Sequence, residues 1–157
     1  MSGGVPASGV PAAGDERELP MTANREIVAD AFAAWSAGTG SITDIFAEDL
    51  RWEIIGRSVA AGLYQPARQF VEEVLKPFEA RFTAEDPFRP VLIRGIHEDP
   101  TTGTVVVAWN GAGTTTIGTT YTDTVAWFLR MRDGKVVEGT AFFDSIAFNE
   151  LWQDVPA

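Results

Sequence analysis

The stretch TTYTDTVAWFLRMRDGKVVEGTAFFDSIAFNELW, from Thr119 to Trp152, predicts two long paired strands followed by a short amphipathic helix. Asp133-Gly134, between the two strands, is a strong hairpin-turn signal. Alternation along the first strand places five residues on one face: Tyr121, Asp123, Val125, Trp127 and Leu129. An acid therefore shares a face with aromatic and aliphatic side chains. A carboxylate in such surroundings is costly unless it is hydrogen-bonded or its pKa is raised, so the stretch predicts a pocket that contains an acid.

The segments before this hairpin predict helices first and antiparallel strands afterwards. Asp144 or Ser145 can cap the final helix. The other expected elements are a helix from Thr22 to Ala37, a helical turn from Ser41 to Phe46, a strand over Leu50–Ile54, a helix over Pro66–Phe82 that Pro77 should bend, and strands over Val91–His97 and Thr104–Asn110. This order predicts an α+β fold.

The chain has 157 residues, of which 45% are hydrophobic, and this length suits one domain with a substantial core. Residues 1–20 are rich in Gly, Pro, Ala and Ser and offer little large apolar surface, so we expect a disordered tail there. Residues 21–157 are expected to form the domain. The start of the chain has neither a basic nor an apolar segment of the secretory type, and we expect a cytoplasmic protein.

Charge and composition exclude several classes of function. The formal charge is −10, from 12 basic and 22 acidic residues, which disfavours nucleic acid and anionic membranes as partners. The absence of cysteine excludes thiolate chemistry, and a single histidine makes a zinc site improbable. Gly111-Ala112-Gly113 is not followed by the residues of a phosphate loop, and no Gly-x-Ser-x-Gly elbow occurs. We therefore expect no metal and no cofactor.

Three residues are candidates for proton chemistry. Asp123 could be a general acid or base, although it could also be a satisfied aspartate among neighbouring threonines. Tyr121 lies on the same face and could donate a hydrogen bond to a carbonyl or ether oxygen, or could be an ordinary core residue. His97 could carry protons, but a histidine at a strand end is also often solvated.

The large aromatic residues together predict an apolar pocket and hence an apolar ligand, although each of them alone is typical of a hydrophobic core. Asn110, beside Gly111, could sit at a bulge and point inward, or belong to a turn. The expected pocket-lining residues are Trp35, Trp52, Ile54, Phe70, Phe78, Trp109, Asn110, Val125, Trp127 and Phe143.

The order of elements, with FAEDLRWEI in the first strand, AWFLRMRDGKVVEGTAFFD in the last hairpin and the closing helix, resembles the SnoaL-like family of the nuclear transport factor 2-like superfamily. The resemblance implies a curved antiparallel sheet wrapped around N-terminal helices, forming a cone with an internal pocket, and a homodimer. The superfamily contains ketosteroid isomerases, polyketide cyclases, limonene epoxide hydrolases, scytalone dehydratases and non-catalytic proteins, so the fold does not fix the activity.

Catalytic residues of these relatives transfer poorly to this sequence. Ketosteroid isomerases have a general-base aspartate, an oxyanion-hole aspartate and a helix tyrosine. The matching positions in this sequence are Ile54, Trp127 and Ala31, and all three are apolar. The Asp-Arg-Asp set of limonene epoxide hydrolases falls at Asn110, Ala108 and Ala141, which makes epoxide hydrolysis the less favoured reaction. The aspartate and histidine of SnoaL-like cyclases have a loose analogue in Asp123 and His97.

The sequence thus favours a cofactor-independent acid/base enzyme, an isomerase, cyclase or dehydratase, for a small apolar polyketide-like or terpenoid-like substrate. The alternatives are a non-catalytic protein that binds such a ligand, and an interaction module that uses an apolar outer sheet face around Phe128 and Ala126.

Overall fold

The computed structural model describes residues 12–157, and it describes side chains from residue 23 onward. The helices are α1 (Ala12–Ala37), α2 (Ala67–Phe70), α3 (Lys76–Glu79) and α4 (Ser145–Asp154), with a 3-10 turn at Ile42–Ile45 and a π-helical stretch at Val71–Leu75. The strands are β1 (Phe46–Ile54), β2 (Gly62–Tyr64), β3 (Arg89–Asp99), β4 (Thr104–Thr114), β5 (Thr120–Arg132) and β6 (Lys135–Phe143).

The six strands form one curved, open sheet in the order β2-β1-β6-β5-β4-β3, so the predicted α+β class is confirmed. The sheet is mixed rather than wholly antiparallel, because β1 pairs with β6 in the parallel sense. These two strands are far apart in sequence, and a long connection allows either direction. The inner face packs on α1, on the helical segment 67–79 and on α4, and this layer holds the core.

The β5–β6 hairpin follows the sequence expectation closely. Asp133 and Gly134 both have positive φ, 53° and 76°, as a tight hairpin of this kind requires. Along β5, odd-numbered residues from Tyr121 to Met131 are buried, and even-numbered residues lie on the outer face. Asp144 caps α4, since its side chain accepts hydrogen bonds from the backbone N–H groups of Ile146 and Ala147.

Two helical predictions differ from the structure in detail. Helix α1 begins at Ala12, ahead of the expected start after Thr22, and so includes residues 12–20 of the predicted disordered tail. Residues 1–11 of the predicted disordered tail lie outside the described residues. Pro77 falls in α3, and the preceding stretch Val71–Leu75 is π-helical. No helix among the described residues is long and apolar enough to cross a membrane.

Arg81 fastens the C-terminus to the end of the second helical segment. Its guanidinium donates to the carbonyls of Val155 (2.8 Å), Pro77 (2.7 Å) and Trp152 (3.4 Å), and it stacks over the Trp152 ring at 3.8 Å. Its charge is buried, and burial lowers the pKa of Arg81. These contacts attach the C-terminal end of α4 to α3.

Candidate functional site

An internal cavity of about 90 Å³ lies between the inner face of the sheet and the helices. Its walls are almost wholly aromatic and aliphatic, with Asp123, Tyr121 and Glu79 as the residues that carry polar side-chain tips other than indoles. Nine of the ten residues expected to line a pocket do so: Trp35, Trp52, Ile54, Phe70, Phe78, Trp109, Val125, Trp127 and Phe143.

Asp123 is the buried carboxylate of this cavity, with 7% of its surface exposed. Oδ2 accepts a hydrogen bond of 2.5 Å from the Tyr121 hydroxyl, and Oδ1 accepts one of 2.9 Å from the backbone N–H of Asp144. Because same-face neighbours on a strand are two positions apart, β5 itself brings Tyr121 and Asp123 together. The backbone N–H of Asp144, the N-cap residue of α4, then holds Oδ1 of Asp123 in place.

Burial raises the pKa of Asp123 from 3.8 to about 6. The hydrogen bonds from Tyr121, Asp144 and the backbone of Thr124 stabilise the charged form and oppose this shift, while the negative charge of Asp144 adds to it. Desolvation is the largest of these effects. Asp123 can therefore gain and lose a proton near neutral pH, as a general acid or base must.

Tyr121 is buried between the rings of Phe78, Phe82 and Phe88 and is bound to Asp123 through its hydroxyl. Burial, followed by the charge of Asp123 and the hydrogen bond to it, raises the pKa of Tyr121 far above its ordinary value. The hydroxyl hence stays protonated and holds the Asp123 carboxylate in one orientation. The hydroxyl could donate a hydrogen bond to a ligand oxygen only if its hydrogen bond to Asp123 were broken.

His97 is exposed and lies outside the cavity, so the structure does not bring it together with Asp123. It pairs with Val106, which alternates with the buried Val105 and Val107 and thus faces outward. Register shifts between Pro90 and Leu92 and between Ile93 and Gly95 break the alternation of β3. A period-2 reading that starts at Ile93, which pairs with the buried Trp109, therefore assigns His97 to the wrong face.

Asn110 also faces outward, contrary to the expectation that it lines the pocket. Strand β4 alternates without interruption, with Trp109 and Gly111 buried on the inner face. The Asn110 carboxamide oxygen accepts a hydrogen bond of 2.8 Å from Arg94 Nε on the outer side. The position of Asn110 is thus set by regular pleating and not by a bulge.

Glu79, at the end of α3, lines the cavity and is a residue that the sequence reading missed. Partial desolvation raises the pKa of Glu79, and the positive charge of Lys76 opposes the shift. In the sequence Glu79 looks like a solvated helix acid beside Glu72 and Glu73. Its place next to Phe78, at a helix end disturbed by Pro77, is the signal that could have identified it.

A second, outer cleft of about 480 Å³ lies beside the C-terminal end of α1. Trp35 and Phe88 line both this cleft and the internal cavity, and their ring centres are 6.3 Å apart. These two rings therefore separate the cavity from the outer cleft. Among the described residues, no cluster of three or more His, Cys, Asp or Glu side chains is placed to hold a metal ion.

Known structures share this architecture at low sequence identity. Bal32a, from a soil-derived mobile gene cassette, matches with a TM-score of 0.67 and 21% identity, over 85% of this chain and 98% of Bal32a. An NTF2-like protein from Burkholderia thailandensis matches with a TM-score of 0.63 and 23% identity, over 82% of this chain and 95% of that one. TerC, crystallised with polyporic acid, matches with a TM-score of 0.64 and 23% identity, over 84% of this chain and 99% of TerC.

No family model matches the sequence, and no curated protein matches it either. The structural matches nevertheless span nearly the whole domain. The chain therefore has the nuclear transport factor 2-like fold, as the sequence resemblance implied.

Proposed function

We propose that this protein is an acid/base enzyme that moves a proton on a small, largely apolar substrate held in the internal cavity. The observation that carries the proposal is a buried carboxylate, Asp123, whose pKa is raised to about 6 and whose two oxygens are both positioned by hydrogen bonds. Such tuning is common at catalytic bases, because a base with a pKa close to the working pH is both available and effective.

In the proposed step, the ionised Asp123 removes a proton from a carbon next to a carbonyl group. The electron pair of the broken C–H bond moves to the carbonyl oxygen, which becomes an enolate. Where the enolate is conjugated with a C=C bond, return of the proton from Asp123 to the far carbon completes an isomerisation. Where a hydroxyl group is on the β-carbon, it takes the proton from Asp123 and leaves as water, the enolate electron pair forms the C=C bond, and a dehydration is complete. Tyr121 is the residue that orients the base, because its hydroxyl is bound to Oδ2.

Size limits the substrate. Typical ligand pockets occupy about 300–1,000 Å³, whereas this cavity has about 90 Å³. A single ring with short substituents is the natural occupant. A larger polyketide-like or terpenoid-like molecule requires Phe88 and Trp35 to turn toward the outer cleft, which would join the two spaces. That TerC was crystallised with polyporic acid supports a small-molecule ligand for a protein of this fold.

The proposed base predicts the pH dependence of proton exchange. With cyclohexanone as probe, we expect the protein to accelerate replacement of the protons next to the carbonyl by solvent deuterium. The rate should rise as pH increases through about 6, where Asp123 loses its proton, and level off above pH 7. Proton NMR in deuterated buffer measures the exchange directly.

A rate that falls through pH 6 would show Asp123 acting as an acid and contradict the proposed step. The second candidate, a non-catalytic binding protein, would bind cyclohexanone without accelerating exchange at any pH. The apolar cavity itself favours that alternative, since binding alone needs no titrating group.

We also propose that the protein forms a homodimer through its outer sheet face. Phe128 and Phe142 lie on this face and are 43% and 52% exposed, and Leu92 on β3 is 51% exposed. Exposed aromatic residues on the face of a sheet are typical of protein interfaces. A cytoplasmic location remains a prediction from sequence.

Substitution of Phe128 by aspartate is expected to convert the dimer to a monomer, because a charge would be desolvated at the centre of the contact. Ile117→Asp is the matched control, since Ile117 is 54% exposed but lies in the β4–β5 turn. Sedimentation velocity gives the mass of each species. A wild-type protein that sediments as a monomer would rule out the proposed dimer.

A further inference from the structure

Phe88 fills a space that two glycines of β4 leave opposite the Tyr121–Asp123 pair. Gly111 pairs with Asp123 and Gly113 with Tyr121, and both glycines are buried on the inner face of the sheet. A Cβ atom on Gly111 would overlap the Phe88 ring, and one on Gly113 would come within 2.8 Å of the Phe88 backbone. Phe88 therefore occupies the volume that side chains at these two positions would take.

Hydrogen bonds tie the segment just before Phe88 to the end of β4. The N–H of Thr83 donates to the carbonyl of Thr114 (2.9 Å), and the N–H of Thr114 donates to the carbonyl of Asp86 (3.0 Å). The Thr114 hydroxyl also donates to Oδ2 of Asp86 (2.6 Å). These bonds hold residues 83–86 against β4, and Phe88 follows two residues later, over the glycines.

Of the two rings that separate the cavity from the outer cleft, Phe88 is the one beside the proposed base. Its ring centre is 5.7 Å from that of Tyr121, the hydrogen-bond partner of Asp123. Among the described residues, the ring neighbours of Trp35 are Phe32, Phe88, Trp109 and Trp127. Because Phe88 lines both spaces, removal of its ring would extend the cavity from the region of Asp123 toward the outer cleft.

We infer that Phe88 is a specificity-determining residue, which limits the ligand of this cavity to a single ring. A larger ligand is rejected because its second ring would overlap the Phe88 ring, and such overlap is a common source of specificity. For the reaction, this inference rests on the proposed function and makes single-ring ketones the substrates. The size limit itself concerns binding alone.

The test compares cyclohexanone with 2-decalone, a ketone of two fused saturated rings, in the wild type and in Phe88→Ala. Without overlap, the more apolar 2-decalone should bind more tightly. We expect the wild type to bind it about tenfold more weakly than cyclohexanone, a difference of about 1.4 kcal/mol, and Phe88→Ala to reverse this order. Titrations followed by ¹H–¹⁵N NMR give each Kd and also show that each variant is folded.

Phe82→Ala is the matched control. The Phe82 ring packs on those of Phe88 and Tyr121, with centre distances of 5.6 and 5.7 Å, but Phe82 lines neither the cavity nor the outer cleft. This variant loses a ring from the same cluster without joining the two spaces, so it should keep the preference for cyclohexanone. The milder pair Phe88→Leu and Phe82→Leu repeats the comparison with less loss of packing, in case an alanine variant does not fold.

Three outcomes would overturn the inference: a wild type that binds 2-decalone as tightly as cyclohexanone, Phe88 variants whose preference equals that of the Phe82 variants, or no binding of either ketone. Deuterium exchange separates this inference from the proposed function. A preference that reverses in Phe88→Ala, without proton exchange in any protein, would retain Phe88 as the size limit and remove the reaction. Exchange of both ketones at equal rates by the wild type would retain Asp123 as the base and remove the size limit.

Discussion

Asp123→Asn is expected to abolish proton exchange while making the folded protein more stable at neutral pH. Loss of a general base typically lowers a rate about 10²–10⁴-fold. The amide can keep both contacts, because its oxygen accepts from the Asp144 N–H and its NH₂ group donates to the Tyr121 oxygen, which reverses the direction of the hydrogen bond to Tyr121. The fold should therefore be preserved, and the difference in activity should come from the missing base.

The gain in stability follows from the pKa of Asp123. In the folded state this pKa is about 6, against 3.8 for an unperturbed aspartate, so between these values the folded state binds more protons than the unfolded state. Stability then falls as pH rises from 3.8 to 6 and stays lower above 6, by about 3 kcal/mol from this single group. Asparagine does not ionise and escapes this loss.

Urea unfolding followed by circular dichroism checks this result. We expect the variant to exceed the wild type in free energy of unfolding at pH 7.5 and to match it near pH 3, where Asp123 is largely protonated in both states. Asp49→Asn, at an exposed position on β1, should show no such pH-dependent difference. An Asp123→Asn protein that is less stable at pH 7.5 would show that the buried charge is compensated and would weaken its assignment as a tuned base.

Arg81→Met is expected to destabilise the protein by about 3 kcal/mol, because it leaves the carbonyls of Pro77, Trp152 and Val155 without their donor and removes the charge stacked on Trp152. The loss should concentrate at α4, which Arg81 ties to the helical segment. Arg81→Lys should recover part of it, since an ammonium keeps the charge but cannot reach all three carbonyls in the planar geometry of a guanidinium.

Hydrogen exchange resolves the local effect. Amides of Phe148 to Val155 should exchange faster in Arg81→Met, whereas amides of the β5–β6 hairpin should change only through global stability. Arg57→Met serves as the exposed control. Uniformly faster exchange throughout the chain would contradict a local anchoring role for Arg81.

Sequence patterns predicted the parts of the fold that regular alternation and turn chemistry determine. The inward face of β5, the Asp133-Gly134 turn and the Asp144 cap all depend on residues within a few positions of one another, and all three agree with the structure. Asp123 and Tyr121 were found for the same reason, since neighbours on one face of a strand meet without long-range information.

The remaining features depend on contacts between distant segments. The bulge between Ile93 and Gly95 places His97 on the opposite face from Ile93, and no local pattern shows where this bulge falls. The parallel pairing of β1 with β6, the hold of Arg81 on the C-terminus and the entry of Glu79 into the cavity wall each join residues far apart in the chain or at an irregular helix end.

The π-helical stretch Val71–Leu75 has a consequence for how the cavity can change during evolution. Val74 and Leu75 line the cavity, and Phe78 and Glu79 follow one turn later. A π turn accommodates one residue more than an α turn, so deletion of one exposed residue there, such as Glu72, would restore an α-helix without disturbing the sheet. The residues after the deletion, such as Phe78 and Glu79, would keep their present phase, because the wide π turn already absorbs one residue more than an α turn. A one-residue change in chain length at this turn would thus alter the cavity wall only locally, while Phe78, Glu79 and Asp123 keep their positions.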